Sequence, residues 1–112
     1  MIFESQQVVS VFGYWPAFAD GRIEVISLEG DALILGISYV DAETSKSAIV
    51  KLRFLGVSEV EFTDLKTENV IDALHMTGES PMSVRIEACY GLDGTFNCDA
   101  VEVLSVLPHT SS

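Results

Sequence analysis

From residue 23 onward strand patterns dominate, and in several runs apolar residues recur at every second position. The clearest run is 47–54, where Ala48, Val50, Leu52 and Phe54 point one way and Lys51 and Arg53 the other. A period of two marks a strand with one buried face. Residues 32–40 repeat it with Leu33, Leu35, Ile37 and Tyr39, and 82–90 repeat it with Met82, Val84, Ile86, Ala88 and Tyr90. Residues 23–28 make an earlier strand, closed by Gly30-Asp31. Residues 59–62 make a short one, with Val60 and Phe62 inward and Glu59 and Glu61 outward. A long extended stretch covers 95–107, bent near Asp99-Ala100.

Two segments break this period. Residues 5–12 read as a short helix: Val8, Val11 and Phe12 fall at i, i+3 and i+4, Ser5 can cap the start, and Gly13 suits a left-handed stop. Residues 64–77 are ambiguous. Thr63 or Asp64 could cap a helical turn, and 71–76 fits strand or helix.

A short helix followed by six to eight tightly connected strands, without βαβ alternation, argues against a parallel sheet. The expected fold class is mainly β: an antiparallel sheet curled into a sandwich or partial barrel, with a short N-terminal helix. The 112 residues read as one domain, with 108–112 as a frayed tail. A chain of this length buries roughly 65% of its unfolded surface, enough for one core.

Charge narrows the function. Seventeen acidic residues face six basic ones, a formal charge of −11. Nucleic-acid binding needs a basic surface and is disfavoured, as is an anionic membrane. Such a charge keeps a protein soluble and can steer a basic partner. No apolar run approaches the ~20 residues of a membrane helix. The N-terminus has no basic region and carries Glu4, unlike a signal peptide, so a cytoplasmic location is expected.

Catalytic chemistry finds little support. His75 has Asp72 three residues before it, and His109 lies in the tail. Neither Cys89 nor Cys98 has metal-ligand spacing, so no metal and no cofactor is expected. Pairing Tyr90 with Thr95 across Gly91–Gly94 sets Cys89 opposite Phe96 and Cys98 opposite Glu87. The thiols are then about 7–8 Å apart, long for a disulfide. A Cys–His nucleophile pair with His75 has no local signature, and there is no phosphate-binding glycine loop.

Two features remain. One is the aromatic corner Phe12-Gly13-Tyr14-Trp15-Pro16-Ala17-Phe18-Ala19-Asp20. It reads as a core plug in which Trp15 and Phe18 cap one end of the sheet and Asp20 caps local backbone, or as a binding hot spot. The other is the acidic stretch Glu59, Glu61, Asp64, Glu68 and Asp72, relieved by Lys66. It reads as a solvated face, or as a surface that docks a basic protein.

The corner resembles the immunity protein 50 family of bacterial polymorphic toxin systems, whose N-terminal motif has the form F-G-x-W-P-S-F-H-D. Phe12, Gly13, Trp15, Pro16, Phe18 and Asp20 match it. Further matches are Leu52-Arg53-Phe54 with Gly56-Val57, Asn69-Val70, Gly91 to Phe96 with Cys98, and Ser105-Val106-Leu107-Pro108. Ala19 stands where the family has histidine. If that histidine serves a function, this chain lacks it; a structural motif tolerates the change, and the departure favours the structural reading.

The resemblance implies a cytoplasmic protein that binds and neutralises a cognate toxin domain and is not an enzyme. Many such toxins are nucleases with basic clefts, which an acidic inhibitor can cover. Three readings compete with it. The first is a small-molecule or peptide-binding β domain using the Trp15 corner. The second is a homo-oligomerisation module with unpaired strand edges, and the last is an enzyme.

Overall fold

The computed structural model describes residues 2–78 and 81–108. The elements in order are β1 (Ile2–Phe3), α1 (Gln6–Phe12), β2 (Arg22–Glu29), β3 (Ala32–Val40), β4 (Ser47–Leu55), β5 (Ser58–Thr63), β6 (Val70–Thr77), β7 (Met82–Tyr90), β8 (Asp93–Cys98) and β9 (Ala100–Pro108). The strands form one open sheet in the order β1-β9-β4-β3-β2-β6-β7-β8-β5. All neighbours are antiparallel except β1, which pairs with β9 in parallel over two residues. The expected mainly β fold with one short helix is what forms.

The sheet folds over on itself. Phe54 of β4 and Phe96 of β8 are five places apart in the sheet order, yet their rings meet edge to face at 5.0 Å. Two layers therefore face each other, β9-β4-β3-β2 and β6-β7-β8-β5. Among the described residues, the one strand pair that joins them along the sheet is Arg22 opposite Val70. At the other end the chain itself ties them together. It passes from β4 to β5 through Gly56-Val57, where the Val57 N–H donates to Asp31 O at 2.7 Å, and from β8 to β9 at Asp99, whose N–H donates to Leu55 O at 2.8 Å.

The core lies between the layers. Leu33, Leu35, Ile37 and Tyr39 of β3 and Ala48, Val50, Leu52 and Phe54 of β4 are all buried, as their alternation predicts. On β7 the alternation holds for Met82, Val84 and Ile86, but Tyr90 is 55% exposed. Bulges at 70–73 change the register there, and β8 has already left β7. α1 closes one end of the core with Val8 and Phe12, and Gly13 ends it at φ +85°. Ser5 makes no side-chain cap bond, so the helix starts at Gln6 without one.

Of the two readings open for 71–76, the strand forms, as β6, with no helical turn before it. Three other expectations are corrected. Val60 is 37% exposed, because β5 is irregular between Ser58 and Glu61, with φ +52° at Glu59, and the inward alternation is lost there. The β7–β8 register puts Cys98 opposite Met82 and Thr95 opposite Arg85, five residues from the expected pairing. An odd slip flips the face: Cys98 is buried while Cys89 is exposed. Pro108, expected in a tail, is the last residue of β9, opposite Ala48. Residues 109–112, including His109, lie outside the described residues.

Candidate partner-binding site

The aromatic corner combines buried rings with exposed positions at Gly13, Tyr14, Ala17, Ala19 and Asp20. Phe18 is fully buried, Pro16 is buried, and Trp15 packs half-buried against the core. Phe18 makes edge contacts with Trp15 at 5.9 Å and with Tyr39 at 5.4 Å, and Phe12 meets Tyr39 at 5.2 Å. The segment then runs antiparallel to β6. Leu74 N–H donates to Ala17 O, Asp20 N–H to Ile71 O, Ile71 N–H to Gly21 O, and Ile23 N–H to Asn69 O, all at 2.7–2.8 Å. These bonds zip the bend where β2 and β6 barely pair. The turn needs φ values of +61° at Phe18 and +63° at Asp20, which non-glycine residues adopt only when packing holds them. Gly21 follows because a Cβ there would lie 2.8 Å from Phe18 O. Asp20 does not act as expected: its backbone N–H bonds, while its carboxylate takes no hydrogen bond among the described residues.

Ala19 is exposed beside an open cleft of about 480 Å³, lined also by Tyr14, Asp20, Tyr39, Asp41 and Glu43. The Tyr14 and Tyr39 hydroxyls lie 3.1 Å apart, and the Tyr14 hydroxyl donates to Asp41 Oδ1 at 3.3 Å. Asp41 is 4% exposed. Its carboxylate also accepts from the Thr44 hydroxyl at 2.8 Å and from the Glu43 N–H at 3.3 Å. Burial pushes the Tyr39 phenol well above the usual tyrosine range, and the Tyr14 hydrogen bond and nearby negative charge act the same way. The phenol is therefore neutral at physiological pH. Sequence reasoning missed Tyr39 and Asp41 because only the fold brings them to the corner. The available signal was Asp41 two residues after Tyr39, at the end of an alternating strand.

The acidic stretch divides. Glu59, Glu61, Asp64, Glu68 and Asp72 are all exposed. Glu59 and Glu61 sit on edge strand β5 with Asp64 just beyond it, while Asp72 is on β6, with β8 and β7 in between. Glu59 Oε2 accepts from Asn97 at 3.3 Å, and Glu68 pairs with Arg22 at 3.4 Å in open solvent, where such a pair contributes little. The layer's outer face also carries Arg85, opposite Thr95, and His75, whose Nε2 lies 2.9 Å from Glu87 Oε2. His75 is thus engaged by Glu87 on the outer face, while Cys98 is buried inside. Among the described residues no three His, Cys, Asp or Glu side chains group as a metal site.

Two other matched segments, at Asn69 and at Gly91-Leu92, meet. Asn69, 6% exposed, clasps the loop before β6 to the loop after β7. Its Oδ1 accepts from Leu92 N–H at 2.8 Å and from Lys66 N–H at 3.1 Å, and its Nδ2 donates to Lys66 O at 3.0 Å. Gly91, at φ +87°, passes so close that a Cβ would lie 2.8 Å from Glu68 O.

The family model for immunity protein 50 matches residues 4–109. The chain belongs to the immunity protein 50 family. No curated protein and no solved structure matches the chain. No helix among the described residues is long and apolar enough to cross a membrane.

Proposed function

We propose that this chain binds and neutralises a cognate bacterial toxin domain in the cytoplasm, without catalysis. The family match over residues 4–109 carries this reading. The finer mechanism is electrostatic. A charge of −11 and the exposed Glu59, Glu61, Asp64, Glu68 and Asp72 suit a partner with a basic cleft, whose association they accelerate.

The test is growth of cells expressing the gene immediately upstream, alone and together with this chain. Arrest alone and rescue on co-expression are expected; arrest without rescue, or no arrest, overturns the reading. A chain with Glu59, Glu61, Asp64 and Glu68 all changed to Lys, shown by circular dichroism to be folded, should lose rescue. Unchanged rescue overturns the charge mechanism and leaves toxin binding standing.

The cleft beside Ala19 favours a second reading, a small-molecule or peptide site at the Trp15 corner. Thermal stabilisation by a ligand library, abolished in Tyr14→Phe, combined with failure of the growth test, would establish it instead.

A further inference from the structure

The two layers leave a seam. β2 pairs with β6 only at Arg22, then runs on to Glu29 with β3 on one edge and no strand on the other among the described residues. β5 likewise has β8 on one edge and none on the other. Between these two bare edges lies an apolar cleft of about 210 Å³ lined by Ile26, Leu28, Leu33, Phe62, Leu65 and Leu92. Leu28 and Leu65 are 60% and 64% exposed, large aliphatic side chains left in water at the mouth of the cleft.

Bare strand edges pair readily with another chain, and proteins commonly protect them with lysine or proline. Neither β2 nor β5 contains either residue. They carry glutamates instead: Glu24 and Glu29 on β2, Glu59 and Glu61 on β5, all exposed, with Asp64 just beyond. Those charges repel a second copy of this acidic chain and attract a cationic strand. The arrangement has an apolar centre and a charged rim, with backbone groups free to pair along the edge.

We propose that the seam between β2 and β5 is a docking site for an extended, cationic segment of the partner, which adds as a strand to a bare edge and seats one aliphatic side chain between Leu28 and Leu65. That the partner is a toxin rests on the reading above; the seam itself is tested without one.

The probe is the peptide acetyl-KVKLKVKVK-amide, titrated into the full chain labelled with nitrogen-15. Amide shifts confined to residues 24–29 and 58–65 are expected, saturating below about 1 mM peptide. Added salt should weaken binding. The exposed-site variants Leu28→Ser/Leu65→Ser and Glu59→Lys/Glu61→Lys should each weaken binding about tenfold or more. No shifts at the seam at that concentration, or shifts centred on the Tyr14–Asp41 cleft, overturn the proposal. So do seam shifts that grow with protein concentration alone, which would make a second copy the occupant. Lost peptide binding with intact growth rescue rejects the seam and keeps the toxin; bound peptide with no rescue does the reverse.

Discussion

Asn69→Ala should remove more stability than its place in a polar loop suggests. The side chain makes three hydrogen bonds to backbone, and the one from Leu92 N–H is buried. Truncation leaves that donor without a partner, at about 1–3 kcal/mol. Water can reach the two part-buried Lys66 groups, so each lost bond adds only about 0.5 kcal/mol. The expected loss is about 2–4 kcal/mol. In urea, with an m-value of roughly 2 kcal/mol/M, the midpoint should fall by about 1–2 M with m unchanged. Gly91→Ala should also destabilise, since its Cβ meets the Asn69 carboxamide and lies 2.8 Å from Glu68 O. The double variant should lose clearly less than the two single losses added together, because both act on one contact. A loss below about 0.5 kcal/mol for Asn69→Ala, with m unchanged, would falsify the clasp as a stabilising element.

Phe54→Ala, at a fully buried ring that bridges the layers to Phe96, should cost about 3–5 kcal/mol; a Tm close to wild type would show that the layers are held elsewhere. In the native protein one thiol, Cys89, should react with Ellman's reagent, and Cys98 should react only on unfolding; two fast thiols would contradict the register. Burial raises the Cys98 pKa, with Asp99 adding to the rise, so the unfolded chain ionises this thiol first. Stability from this group is therefore full below the ordinary thiol pKa of about 8.5 and is lost as pH rises toward the higher folded value. Cys98→Ala should flatten the stability profile just above that pH, and an unchanged slope would assign the alkaline loss to other groups.

Local alternation sufficed for the positions of β3, β4 and β7, because a half-buried strand writes its period into the chain whatever its partners are. A bend near Asp99-Ala100 was legible too, but not that it separates two strands, β8 and β9, that lie far apart in the sheet. Pairing was less so. Every inner strand alternates, so nothing local says that β7 leaves β8 after Ile86 and continues along β6. That choice decides which cysteine is inside. Residues 64–77 were ambiguous because β6 is bulged, and a bulge disrupts the period that identifies a strand.

The site divides in the same way. The acidic charge, the aromatic corner and the family resemblance belong to the sequence, since composition and short motifs survive without coordinates. Only the tertiary structure shows that the corner zips β2 to β6, that Asn69 is a buried clasp, and that the acidic stretch splits between an edge strand and an inner one. Only it leaves β2 and β5 with bare edges around Leu28 and Leu65. The reason is that sequence patterning sets which face of each strand turns inward, while curling a sheet that does not close decides which edges are left unpaired.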